Sequence, residues 1–418
     1  MKTSKLYIIA VLIIFSGLLK AQNPSISNPE DVGISSYRLG IIDKVLQEYI
    51  DKKEVPGAIA LIARRGEIGY LKSFGMKDIE ENQPMTDDAI FRIASMTKAV
   101  TTVGVMMLYE DGRFKLDDPI SNFIPEFKNM KTMDGENVKQ EITIRHLLTH
   151  TSGLSYAFLG PQDTYDLYIQ NNIYGGFGKT QGTIGETVKR LASLPLMHQP
   201  GEKFQYGMSA DVIGYLIEII SGMTLEAFFQ EKIFEPLEMT DSYFFLPETK
   251  KDRLAIMYGY EENQLKRIVD EAKSRFLNYS DYATYASNRN YFSGGGGLLS
   301  TASDYYNFLT MLLNKGKYKN KQILSRKSIE LMTSNQTGDM FNGRKGEVFG
   351  FGFAISKGPS KTGTIESAGT YRWLGLFNTH FWVDPEEQLI GILLTQTNPN
   401  VSDIDRKFKT LVYQSIID

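Results

Sequence analysis

The sequence predicts an α+β fold: a five-stranded antiparallel sheet flanked by the first and last helices, with a large, mainly helical insertion. Three observations carry this reading. Two short apolar runs flank a turn signal near the N-terminus, strand-like runs return only after about Phe349, and helical periodicity dominates between them. Neither terminal group of strands makes a useful sheet alone. Joined, they form one antiparallel sheet whose face the two end helices can cover.

The elements follow in order. Ser35 or Ser36 can cap a helix running to about Lys53, with Leu39, Ile42, Leu46, Tyr49 and Ile50 on one stripe. Pro56-Gly57 stops it. "AIALIARRGEIGYLKSF" reads as two strands about a turn at Arg65-Gly66. Helices are expected from Thr97 to Glu110, ended by Gly112, and from Ser209 to Gly222. The polar stretch from Lys128 to Glu141 reads as a surface loop. "GFGFAIS", "WLGLFNTHFWV" and "QLIGILLTQ" supply the returning strands, the last two joined at Asp384-Pro385. A final helix capped near Ser402 carries Ile404, Phe408, Leu411, Val412 and Ile416 on its apolar face. No internal repeat is visible. The Tyr-rich stretches Gln162 to Gly178 and Tyr258 to Tyr291 are candidates for cleft walls or for half-buried surface.

Composition narrows the function. The 418 residues carry a formal net charge of -3, so there is no electrostatic footprint for nucleic acid. The chain is 42% hydrophobic, ample for a core, and has no cysteine, which excludes disulfides and thiolate metal sites. Lys2 and Lys5 precede an apolar run from Leu6 to Leu19, closed by Lys20. That run is shorter than the roughly 20 residues of a membrane span and reads as a secretory signal, residues 1–21, ending at Ala21. The expected mature chain, 24–418, is exported, periplasmic or extracellular, with no stable membrane insertion. Its sheet subdomain covers about 24–95 and 290–418, and its helical subdomain about 96–289.

The chemistry concentrates in "FRIASMTKAV", residues 91 to 100. Ser95 falls where a strand gives way to a helix, and Lys98 lies one helical turn on, on the same face. A serine at a helix start sees backbone N–H groups and the positive end of the dipole, which favour developing negative charge. A free lysine amine titrates at about 10.4, so it serves as a base near neutrality only where burial or a proton-sharing partner helps. The alternative is a capping serine followed by a surface lysine. The position, ahead of an almost wholly apolar helix, favours a nucleophile and its activator.

Here the chain resembles the serine hydrolases of the penicillin-binding-protein and class C β-lactamase superfamily, in which Ser-x-x-Lys is the nucleophile motif. "ITIRHLLTHTSGL", "YGMSADVIGYLIEIISG", "IFEPLEMTDSYF", "GGGGLLSTASDYYNFLTMLL" and "FWVDPEEQLIGILLTQ" carry the likeness over most of the chain. The resemblance implies a β-lactamase/transpeptidase-like fold. It also implies that Ser95 is the nucleophile, that Lys98 activates it, and that Tyr206 in "FQYGMS" acts as general base beside Lys98. For the third motif there are two candidates. Lys361-Thr362-Gly363 is the literal lactamase form, but reads as a turn. Trp373-Leu374-Gly375 heads a strand, as in esterase-like members with Trp-x-Gly, and is preferred. The backbone N–H groups of Ser95 and Leu376 would then form the oxyanion hole.

Two departures bear on substrate. Met208 stands where the lactamase second motif, Tyr-x-Asn, has its asparagine, and the preferred third motif offers no lysine for a substrate carboxylate. With Trp373 and Gly375, Met208 is expected to face the substrate. A lost charge-assisted hydrogen bond is worth about 1.5–3 kcal/mol, which disfavours β-lactams and D-amino-acid peptides against uncharged esters. Arg372 is a candidate for compensating from the next position. A carboxylesterase on small esters is therefore the leading expectation. The alternatives are a β-lactamase or D-amino-acid peptidase, and a non-catalytic binding protein on the same fold. No cofactor and no metal are expected. His146 and His150 stand four apart without the glutamate of a zinc-protease motif, and read as packing and turn-capping residues. Gly-x-Ser-x-Gly is absent from the sequence, and no Gly-Lys-Ser/Thr follows Gly294–Gly297, so close backbone packing is the expectation there.

Overall fold

The computed structural model describes residues 25–175, 182–262, 264–268, 273–274, 277–278, 290–359 and 365–418. The proposed signal segment and Lys361-Thr362-Gly363 lie outside the described residues, as do parts of both Tyr-rich stretches.

Helix α1 (Ser36–Asp51) starts at Ser35, whose side chain accepts the Arg38 N–H, and it buries Leu39, Ile42, Leu46 and Tyr49. Strands β1 (Gly57–Arg64) and β2 (Glu67–Asp78) meet at Arg65 and Gly66, with φ of 55° and 83°. Two successive left-handed residues match the twist of a tight hairpin. A two-residue edge strand, β3 (Gln83–Pro84), follows. Helix α2 (Thr97–Glu110) is buried at nearly every position, which explains its almost unbroken apolar sequence. A short α3 (Ile144–Leu148) and a long α4 (Ser209–Ser221) belong to the helical region; α4 ends at Gly222 in the left-handed conformation (φ 73°). After α5 (Ala302–Leu313) come β4 (Glu347–Phe349), β5 (Ala354–Ser356), β6 (Tyr371–Gly375), β7 (Thr379–Asp384), β8 (Leu389–Leu394) and α6 (Ile404–Gln414).

The sheet has eight strands in the order β4-β5-β6-β7-β8-β1-β2-β3, with antiparallel neighbours throughout. The N-terminal hairpin thus joins the C-terminal strands: β1 pairs with β8 from Ile59↔Leu394 to Arg64↔Leu389. The expected count of five is corrected. Strands β3 and β4 are additional short edge pieces, and "WLGLFNTHFWV" is a hairpin rather than one strand. Asn378 at its tip takes φ 61°, a conformation asparagine tolerates well. The other tip residues, Leu376 and Phe377, are apolar and hide the turn in the sequence.

Every residue of β1 is buried, yet its two faces enter different cores. Ala58, Ala60 and Ile62 pack with Ile42 and Leu46 of α1 and Phe408 and Val412 of α6. Ile59, Leu61 and Ala63 join the larger core beneath α2 and α5. The segment that carries Ser95 and Lys98 lies on this second side. Among the described residues no single helix is long and apolar enough to cross a membrane.

Candidate active site

A short ladder of Phe91–Arg92 with Leu299–Ser300 carries the chain into a single 3-10 turn, Ala94–Met96, which runs directly into α2. Ala94 is fully buried and takes φ 44°, where a Cβ-bearing residue is strained. The strained residue immediately precedes Ser95. Burial of Ala94 against Met257 and Phe377 holds the conformation in place.

Lys98 is only 2% exposed. Its Nζ lies 3.2 Å from Ser95 Oγ, 3.0 Å from the Tyr156 hydroxyl and 2.6 Å from the Gly295 carbonyl oxygen. An ammonium has three N–H donors, and here each finds an acceptor. The same Nζ lies 4.7 Å from the centre of the Tyr206 ring and 5.2 Å from that of Tyr156. Two aromatic faces therefore add cation–π attraction to the cation's hydrogen bonds. The structure brings Ser95, Lys98 and Tyr206 together as expected, and adds Tyr156. This tyrosine stands two residues after the "HTSGL" that ends the quoted "ITIRHLLTHTSGL" segment. Sequence reasoning missed it because a single Tyr in a loop carries no spacing signal. Tyr156 is fully buried, whereas Tyr206 is half-buried and receives a 3.4 Å hydrogen bond from Trp373 Nε1 on its hydroxyl.

The glycine run serves close packing, as expected. A Cβ at Gly294 would sit 2.6 Å from the Ala210 carbonyl oxygen. Thr101 Oγ1 donates to the Gly294 carbonyl at 2.7 Å, and Thr97 Oγ1 accepts from the Leu298 N–H at 3.1 Å. These bonds lay the Gly294–Leu298 segment against α2 and aim the Gly295 carbonyl at Lys98.

Strand β6 borders the other side. A Cβ on Gly375 would fall 2.4 Å from the Ile93 carbonyl oxygen, so glycine is what lets this strand approach the Ser95 turn. Just beyond it, the N–H groups of Leu376 and Ser95 have no acceptor among the described residues. Trp373 is half-buried, with ring centres 5.5 Å from Tyr206 and 5.3 Å from Phe349, and Phe204 and Phe341 extend the aromatic wall. On the other side, half-buried Leu376, Phe158 and Ile268 pack against the cluster of Ala94, Met257 and Phe377.

Two expectations are corrected. Met208 is 0% exposed and sits in the main core, so its side chain does not reach the substrate. It stands at the start of α4, where an apolar thioether is most stable turned inward. Arg372 does not compensate for the missing lysine. Strand alternation turns it away from the face that carries Trp373. There it makes bidentate hydrogen bonds of 2.6 and 2.7 Å to the buried Glu347 carboxylate. The two histidines behave as expected. His146 Nδ1 accepts the Thr143 N–H at 3.2 Å in a capping box at α3. His150 packs its ring 4.8 Å from that of Tyr206; burial, reinforced by the Lys98 charge, holds its pKa well below the usual value and the ring neutral. No group of residues suited to a metal occurs among the described residues.

A serine, a buried lysine and two tyrosines on this fold define a serine hydrolase of the penicillin-binding-protein and class C β-lactamase kind. The chain belongs to the Beta-lactamase family, whose model matches residues 42–414. Esterase EstB of Burkholderia gladioli is 31% identical over 365 residues, covering 85% of this chain and 90% of that protein. ML-236A carboxylate methylbutanoyltransferase mlcH of Penicillium citrinum is 27% identical over 414 residues, covering 90% of this chain and 94% of its own. Among solved structures, EstCE1, described as a hydrolase with promiscuous acyltransferase activity, aligns with a TM-score of 0.81. The identity there is 26%, over 91% of this chain and 98% of that one.

Proposed function

We propose that this chain is an exported carboxylesterase that cleaves small, uncharged esters through an acyl-enzyme on Ser95. The observation that carries the reading is the 3.2 Å contact between Lys98 Nζ and Ser95 Oγ, with both tyrosine rings around the cation. Ser95 Oγ attacks the ester carbonyl carbon while its proton passes to the unit formed by Lys98, Tyr206 and Tyr156. The developing oxyanion is met by the N–H groups of Ser95 and Leu376, which have no other acceptor among the described residues. The C–O bond breaks, the alkoxide takes the proton and leaves, and water then cleaves the acyl-enzyme by the same steps in reverse order. The likeness to an esterase and to a hydrolase with acyltransferase activity supports ester over amide.

The walls speak to substrate. Trp373, Tyr206, Phe158 and Leu376 offer apolar surface, and Arg372 is committed to Glu347. A carboxylate near Ser95 would therefore lack a partner at these positions and lose a charge-assisted bond. β-Lactamase or D-amino-acid peptidase activity is the second reading, favoured by the family description itself. A paired assay separates them: a chromogenic acetate ester is expected to turn over at least tenfold faster than a chromogenic cephalosporin. Rapid cephalosporin cleavage without ester cleavage would reverse the ranking. Export rests on Lys2, Lys5 and the apolar run to Leu19. In a Gram-negative host, intact-mass measurement of the recovered protein is expected to show removal of residues 1–21. A chain that keeps Met1 in a cytoplasmic fraction would sink that part.

A further inference from the structure

Asp211 has no role in the chemistry described so far. It lies in the first turn of α4 and is 0% exposed. Its Oδ1 accepts from Ser293 Oγ at 2.6 Å, and from the Tyr291 hydroxyl and the Gly295 N–H at 3.3 Å each. Its Oδ2 has no hydrogen-bond partner. A Cβ on Gly295 would lie 2.4 Å from that Oδ2 and 2.8 Å from the Tyr156 hydroxyl, so both oxygens border one small space that glycine alone leaves open. Gly295 is also bonded at both ends, its N–H to Asp211 and its carbonyl to Lys98 Nζ.

A buried ammonium and a buried carboxylate are each costly alone and offset one another when paired. Lys98 and Asp211 are not in direct contact; one residue, Gly295, and one hydroxyl, that of Tyr156, stand between them. We propose that Asp211 is a positioning residue of the hydrolytic reaction, an anion that holds Lys98 in place through Gly295 and the space shared with Tyr156. This rests on the serine hydrolase reading above. The titratable groups that face Asp211 are Lys98 from α2, Tyr156 from the loop after α3 and Tyr291 from the segment before the glycine run.

The pH dependence has a definite sign. Burial raises the Asp211 pKa, against the opposing pull of its three donors and the Lys98 charge. The anion is therefore lost as pH falls, beginning above the ordinary carboxylate range, and Lys98 then loses its counter-charge. Asparagine at 211 removes that titration, so the part of the acid limb that protonation of Asp211 sets is absent from the variant and the limb lies at lower pH.

The test is the rate at which a fluorophosphonate labels Ser95 across a pH series, in the wild-type full chain and in Asp211→Asn and Ser293→Ala. Asparagine keeps the volume and the Oδ1 acceptor, so a purely structural role predicts wild-type rates and an unmoved acid limb. The proposal expects Asp211→Asn to label about tenfold or more slowly at its plateau, with the acid limb displaced downward. Ser293→Ala, which removes a donor that favours the Asp211 anion, is expected to shift the limb to higher pH. Both variants matching wild type would overturn the inference. If Asp211→Asn does not fold, Ser293→Ala decides: a displaced limb supports the proposal and an unmoved one ends it. A wild-type chain that takes no label removes the hydrolase reading and this inference together, so the two failures are told apart.

Discussion

Ser95→Ala is expected to reduce ester turnover by roughly 10⁵- to 10⁶-fold, the scale on which removing a serine nucleophile acts in other hydrolases. The side chain is 8% exposed and carries no structural hydrogen bond beyond that from Lys98, so alanine should fold normally. The measurement is steady-state hydrolysis of a chromogenic acetate ester, together with mass mapping after fluorophosphonate treatment. Loss of both turnover and the adduct on the peptide containing residue 95 is the expected pair of results. Retained turnover would place the nucleophile elsewhere and dismiss the acyl-enzyme scheme.

Lys98→Ala should cost roughly 100- to 10,000-fold in kcat, the span of general acid–base contributions, with a smaller effect on KM. Three acceptors converge on Nζ, and two of them belong to Ser95 and Tyr156. Losing the amine therefore removes the group expected to share the serine proton, together with the hydrogen bonds that Nζ donates to the Tyr156 hydroxyl and the Gly295 carbonyl. Single-turnover kinetics would show the loss in the acylation step. A variant that acylates at the wild-type rate would assign the proton to another group and demote Lys98 to packing.

Much of the fold is legible in the residues because local chemistry and tertiary placement agree. Ser35 caps α1, Arg65-Gly66 turns the first hairpin and Gly222 ends α4, each at a position where the residue type suits the backbone it adopts. The last hairpin is harder to read. Its turn contains Leu376 and Phe377, both used to pack beside Ala94, so tertiary demand overrides turn chemistry and the run reads as one strand. Within the site, Ser95 and Lys98 are visible because a helical turn sets their spacing. Tyr156 is not, since its relation to Lys98 exists only after a loop folds across α2. Asp211 is hidden in a different way: an acid in the first turn of a helix is ordinary on dipole grounds, and only its burial beside Gly295 sets it apart. Met208 and Arg372 show the reverse error, where a motif position implied a direction that packing and strand parity do not grant.

The Glu347 clamp on Arg372 also constrains redesign. A version of this enzyme that welcomes acids needs a positive charge on the Trp373 side of β6, and freeing Arg372 would leave that charge behind the strand. Gly375 shares the parity of Trp373 but has no room for any side chain. New specificity toward anionic molecules must therefore be grafted onto the surrounding loops, while the strand itself stays as it is.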